Sequence, residues 1–256
     1  MVRSRPVQRL GSAPTSGQIC VWNLGMGRLR GRSDIFTITA AGITDVGKVR
    51  GYNEDAVLLA DLTAPTRFVD LRVPRSLVGP LGFLFAVCDG MGGAAAGEVA
   101  SSMAVEHIFE HFSEVDLPPE NHDELATQLT MAVEGANHKI FRESSQNSAR
   151  SGMGTTLTGA LLHENLLLLA QVGDSRAYVL RRGELTQVTE DQSLVNQLLA
   201  SGDLIPEDLP TFKYTNVILQ ALGTSAEVFV ELSYVELCDG DRVLLCSDGL
   251  TGMLGP

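Results

Sequence analysis

A chain of 256 residues with 44% hydrophobic and 20% charged residues has the balance of one large globular domain, and it excludes collagen-like, coiled-coil and disordered classes. The formal net charge of −12 excludes nucleic acid as a partner, because a phosphate backbone needs a basic surface, while the excess of carboxylates suits a cation site. The longest apolar runs, Leu81 to Cys88 and Leu166 to Val172, fall far short of the ~20 residues of a membrane span, so no membrane partner is expected.

The chain opens on an unusual leader. Residues 1 to 33 carry six arginines (Arg3, Arg5, Arg9, Arg28, Arg30 and Arg32) and none of the 31 acidic residues. The pattern fits a transit peptide, and equally a disordered extension or an early start with Met26 as the true first residue. Residues 1–34 are therefore expected outside the fold, with one domain over 35–256. Four cysteines without a C-x-x-C pair favour a reducing, cytoplasmic setting.

From Phe36, alternation of Phe36, Ile38 and Ala40 with Thr37 and Thr39 predicts a first strand. A loop with Asp45, Gly47 and Gly51 leads to a second strand at Val57 to Ala60, a loop at Asp61 to Pro80, and a buried strand at Leu81 to Cys88. Helices follow at Gly97 to Phe112 and Asp123 to Ser144, separated by Pro118-Pro119. Strands come next at Thr155 to His163, Leu166 to Val172, Ala177 to Arg181 and Leu185 to Val188, with turns at Glu164-Asn165 and Arg182-Gly183. A short helix at Leu194 to Ala200, a Pro-containing loop, and strands at Val228 to Leu237 and Arg242 to Cys246 complete the chain. Grouped strands with a block of helices indicate an α+β class with antiparallel sheet.

The chemically informative residues are acids placed where apolar strands end. Asp89 follows Phe83 to Cys88 and opens Asp89-Gly90-Met91-Gly92-Gly93; Asp174 follows Leu168 to Gly173; Asp248 follows Val243 to Ser247. Taken singly, each is a tight-turn residue, and Asp239-Gly240-Asp241 is read as such a turn. The three glycines after Asp89 exceed what one turn needs and suggest close backbone approach to a ligand. Oxygen donors without neighbouring His or Cys select magnesium or manganese over zinc. Of the histidines, only His107 and His111 have helical metal spacing, without an H-E-x-x-H arrangement, and they read as a helix face. Arg50, Glu54 and Asp55 sit together before the second strand: the arginine suits a phosphate dianion, or else makes a loop salt bridge.

Five motifs in order, Thr44-Asp45-Val46-Gly47 through Arg50 to Asn53-Glu54-Asp55, Asp89-Gly90-Met91-Gly92-Gly93, Gly152-Met153-Gly154-Thr155-Thr156, Val172-Gly173-Asp174-Ser175-Arg176 and Ser247-Asp248-Gly249, resemble the bacterial metal-dependent protein serine/threonine phosphatases of type 2C. The resemblance implies a four-layer α-β-β-α sandwich of two antiparallel sheets, with two magnesium or manganese ions at one end and a weaker third. It implies that Asp89 bridges the two ions, that Gly90 and Glu54 serve one and Asp248 the other, and that Asp174 with Asp248 forms the third site. Arg50 would bind the substrate phosphate and Asp55 orient metal-held waters, so that a water between the two ions attacks phosphoserine or phosphothreonine in proteins that serine/threonine kinases modify. Thr189 to Ser225 matches the family's flap, with Gln192 where relatives often carry His. Relatives continue past the Ser-Asp-Gly motif through helices to a strand ending in a metal-binding Asp, so this chain is expected to lack one ligand, one strand of pairing and a helical cover. The rival readings are a pseudophosphatase or regulatory module and another metal-dependent phosphoesterase.

Overall fold

The computed structural model describes residues 19–28, 36–48, 50–92, 96–115, 118–119 and 121–254. In chain order the elements are β1 (Ile19–Arg28), β2 (Phe36–Asp45), β3 (Asp55–Asp61), β4 (Thr66–Arg67), β5 (Arg72–Leu77), β6 (Phe83–Met91), α1 (Ala96–Ser113) and α2 (His122–Gln146). Then come β7 (Gly154–Thr155), β8 (Leu157–His163), β9 (Leu166–Val172), β10 (Arg176–Arg181), β11 (Glu184–Gln187), α3 (Leu194–Ser201), β12 (Glu231–Glu236), β13 (Arg242–Cys246) and α4 (Asp248–Leu254). They build two antiparallel sheets, in the orders β11-β10-β13-β1-β2-β5 and β12-β9-β8-β6-β3-β4, with β7 added to β6.

The apolar runs of β6, β8 and β9 are continuous because their sheet is buried on both faces. Leu84, Ala86 and Cys88 of β6 face the core shared with α1 and α2, whereas Phe83, Phe85 and Val87 face the other sheet. On the helix side Ala100, Ala104, Ala132 and Ala136 are fully buried, and these small residues let the helices lie close on the strands. In β2, Ile38 and Ala40 point into the inter-sheet core, and alternate residues from Thr39 face out. The hairpin turns fall where expected, with positive φ at Glu164 (53°) and Arg182 (53°).

Three expectations are corrected. The leader is not wholly outside the fold: β1 pairs with β2 along all ten of its residues and with β13 over Val21 to Gly25, and Met26 is 5% exposed in the core. Ile19, Val21, Trp22 and Leu24 are good strand formers whose signal the surrounding Arg, Gly and Ser residues obscured. Residues 1–18 and 29–35 lie outside the described residues. Second, the strand of pairing expected to be missing leaves no open edge at β13, since β10 and β1 flank it on both sides. Third, the loop from Asp61 to Pro80 holds β4 and β5, the latter pairing with β2 through an irregular register between Ile38 and Ala40. Among the described residues the short α4 packs against β1 and β13.

Candidate metal centre

Strand pairing creates the site. β3 and β6 run antiparallel in a register that sets Asp55 opposite Asp89, so the carboxylates ending two neighbouring strands become cross-strand partners. From the other sheet, β13 delivers Ser247 and Asp248: the Ser247 Oγ donates to Asp55 Oδ2 at 2.9 Å, and Asp248 begins α4. Asp174 occupies the tight turn between β9 and β10, with Gly173 at φ 99°.

These turns are tied by buried neutral groups. The Asp89 amide donates to Thr156 Oγ1 at 3.0 Å, and that hydroxyl is 2.8 Å from Ser175 Oγ. The Gln171 side chain, 2% exposed, donates to the carbonyls of Gly173 (3.1 Å) and Ser175 (2.6 Å), which straddle Asp174. Gln192 clasps the same turn from the flap: its amide N–H donates to Gly173 O at 2.9 Å, and its Oε1 accepts from Gly173 N at 3.0 Å. Thr156, Gln171, Ser175 and Ser247 were not anticipated as site residues. Their signal was the polar residues breaking apolar strand ends.

The electrostatics is that of carboxylates pressed together. Burial, then Asp55 and Asp248, push Asp89 up to about 10, with a hydrogen bond to Asp248 adding to the shift. Burial, then Asp248 and Glu54, raise Asp55 to about 6 against the opposing hydrogen bond of Ser247. Asp174 is raised to about 6 by burial, then by Asp248 and Asp191. Asp55 Oδ1 is buried without a hydrogen-bond partner. Hard oxygen donors, surplus negative charge and an orphaned carboxylate oxygen fit a divalent cation. Among the described residues, no three His, Cys, Asp or Glu side chains form a ready-made ligand shell, so the cluster supplies charge and donors without a closed cage.

Glu54 and Gly90 sit at the same end. Gly90 N donates to Glu54 O at 3.1 Å, and a Cβ at Gly90 would lie 2.1 Å from Gly97 O, which leaves no room for a side chain. Gly92 adopts φ 143°, while Gly93 falls outside the described residues. Arg50 is exposed, and its Nη1 reaches Glu54 Oε2 at 3.5 Å, a long contact that leaves most of the guanidinium open to solvent. His111 Nε2 lies 2.9 Å from Gln128 Oε1 of α2, and burial lowers the pKa of His107, in keeping with a helix face.

A family model described as protein phosphatase 2C matches residues 78–256. The serine/threonine phosphatase stp of Listeria monocytogenes is 40% identical over 168 residues, covering 66% of this chain and 66% of that protein. The protein phosphatase PhpP of Streptococcus pneumoniae is 36% identical over 212 residues, covering 83% of this chain and 78% of that one. The catalytic domain of the serine/threonine protein phosphatase PstP, solved in complex with two manganese ions, superposes with a TM-score of 0.64 at 32% identity, covering 93% of this chain and 81% of that one.

Proposed function

Because this chain belongs to the protein phosphatase 2C family, we propose that it hydrolyses phosphoserine and phosphothreonine esters in proteins with the help of magnesium or manganese. The observation that carries the proposal is the delivery of Asp55, Asp89, Asp174 and Asp248 to one partly buried cluster whose mutual repulsion raises three of their pKa values and which a divalent cation would relieve. Asp89, flanked by Asp55 and Asp248, would serve two ions; Glu54 and Gly90 would complete one position, Asp248 the other, and Asp174 with Asp248 a third. The chemistry the ions would supply is the acidification of a water for attack on phosphorus. The chain's own share is to hold the carboxylates fixed through Thr156, Gln171, Ser175 and Ser247, and to meet the phosphate with Arg50. Among the described residues the guanidinium meets Glu54 at a long 3.5 Å, and a planar guanidinium so held can take two phosphate oxygens.

Substrates are then phosphoproteins, the products of serine/threonine kinases. Among the described residues no helix is long and apolar enough to cross a membrane. The free thiols of Cys88, Cys238 and Cys246 support a cytoplasmic setting. The second reading, a module that keeps the fold without turnover, draws on the lack of a closed ligand shell among the described residues. One assay separates the two: release of phosphate from phosphothreonine and phosphoserine peptides in millimolar manganese or magnesium, with and without excess chelator. Metal-dependent release supports the phosphatase. Full activity in EDTA, or restoration by zinc alone, contradicts the metal assignment, and no release with any ion leaves the non-catalytic module.

A further inference from the structure

A groove opens beside the carboxylate cluster, between α3 and the segment leading into β12, with a volume of about 250 Å³. Gln192 lines it and also holds Gly173, the residue before Asp174, so one end of the groove abuts the metal-facing turn. Leu219 and Phe229 form an apolar wall and are 46% and 68% exposed. Such exposure in a well-held segment asks for a partner.

The wall is held firmly. Asn137 of α2, 1% exposed, accepts from Gly223 N at 2.7 Å and donates to the carbonyls of Ser225 and Ala226, both at 3.1 Å. The Phe229 N–H donates to Gln220 Oε1 at 2.9 Å, and Leu219 N donates to Gln192 O at 2.8 Å. The opposite wall is α3, capped by Ser193. Both walls are therefore shaped before any ligand arrives.

The charge on the lining has one sign. Among the described residues its titratable lining is Glu190, Asp191 and Glu231, with no basic side chain. Asp191 is neutralised by Arg176, whose Nη2 lies 2.6 Å from Asp191 Oδ2 and whose Nε also donates to that carboxylate. Glu190 and Glu231 make no ion pair among the described residues, so two negative charges flank the apolar wall.

We propose that this groove docks the stretch of a phosphoprotein substrate next to its phosphorylated residue, and that it selects stretches carrying Lys or Arg beside a large apolar side chain. The cation would sit between Glu190 and Glu231 and the apolar group against Leu219 and Phe229. The inference rests on the phosphatase reading above. It adds the substrate preference of that site.

The test compares turnover in manganese of a small aryl phosphate, which has no flanking residues, with that of two phosphothreonine peptides identical except for Lys-Leu or Glu-Ser beside the phosphoresidue. The unmodified protein should show a KM roughly tenfold lower for the Lys-Leu peptide, a gap that narrows at 0.5 M salt because the charges are exposed. In the doubly substituted Glu190→Lys, Glu231→Lys protein the preference should vanish or invert, and Phe229→Ala should raise KM for the Lys-Leu peptide about threefold, with aryl phosphate turnover within about twofold of the unmodified protein throughout. Equal KM for both peptides with normal aryl phosphate turnover overturns the groove assignment and leaves the phosphatase reading intact. No turnover of any substrate overturns both. A doubling of mass in sedimentation that Phe229→Ala abolishes shows that a second copy fills the groove, and also overturns the proposal.

Discussion

Replacing Asp89 by Asn should stabilise the metal-free protein while removing its response to metal. Burial and the neighbouring carboxylates raise Asp89 from 3.8 to about 10 in the folded protein. Below pH ~4 both folded and unfolded chains hold the proton, and the group contributes nothing. As pH rises the unfolded chain releases the proton and the folded one keeps it, so stability falls by about 1.4 kcal/mol per pH unit until the folded pKa is passed. At pH 7 the accumulated penalty approaches ~4 kcal/mol; protons shared with Asp55 and Asp248 reduce it toward ~2 kcal/mol. An asparagine keeps a donor for those neighbours and carries no charge, so the penalty disappears. Urea unfolding in EDTA at pH 5, 7 and 8 should show the variant gaining on the unmodified protein as pH rises. Millimolar manganese should then raise the melting temperature of the unmodified protein and leave the variant nearly unmoved, with phosphatase turnover lost. A variant no more stable than its parent at pH 8 in EDTA, or one with an equal manganese response, would refute the reasoning.

Three further outcomes are expected. Arg50→Ala should raise KM for phosphopeptides several-fold with a smaller fall in kcat, since the proposed phosphate contact would serve ground and transition states alike; unchanged kinetics would show that the Glu54 contact is its whole role. Asp241 is 3% exposed; burial alone would raise its pKa, but the Arg181 guanidinium and the Cys238 N–H outweigh it and hold the carboxyl below the usual range. Its stabilisation is thus present above the ordinary carboxylate pKa and lost as pH falls through the depressed one, so Asp241→Asn should cost ~1.5–3 kcal/mol near neutrality and flatten the acid limb of a stability profile; an unaltered limb counts against the pair. Leu24→Pro removes a ladder donor in the middle of β1 and should destabilise by at least ~1 kcal/mol in chemical unfolding; an unchanged midpoint would show that residues 19–28 are not a central strand.

How far the sequence carries this fold depends on where its periodicities are unambiguous. The continuous apolar runs of β6, β8 and β9, and the helices α1 and α2 with their alanine stripes, are legible because each segment's pattern agrees with its burial. β1 is not, because its apolar residues alternate with Gly25, Gly27 and Asn23 in an arginine-bearing context, and only the ladders to β2 and β13 reveal its place. β5 is hidden for the same kind of reason: Arg72, Pro74 and Arg75 read as loop, and an edge strand tolerates them. The acids of the cluster stand out as residues ending strands, whereas the register that sets Asp55 against Asp89 is a tertiary fact no local pattern contains.

The buried carboxylates divide into two kinds by their partners. Asp191 and Asp241 each face an arginine in a forked contact, Arg176 and Arg181, and are neutral as pairs. Among the described residues neither Asp55 nor Asp89 forms an ion pair: the Ser247 hydroxyl donates to the Asp55 carboxylate, Thr156 takes the Asp89 backbone N–H, and the two carboxyl groups face each other and Asp248. A buried carboxylate without a cation is costly: it keeps its proton, as Asp89 does at neutral pH, or takes a balancing charge from outside the chain. Asp241 and Asp248 show why such a division is invisible locally. Both belong to Asp-Gly-containing turns a few residues apart, Asp239-Gly240-Asp241 and Asp248-Gly249. One lies across from Arg181 at the end of β10, and the other opens α4 beside Asp55, Asp89 and Asp174. The arginine makes Asp241 a structural anchor, whereas Asp248, with no ion pair among the described residues, faces other carboxyl groups, the setting on which the proposed metal site rests.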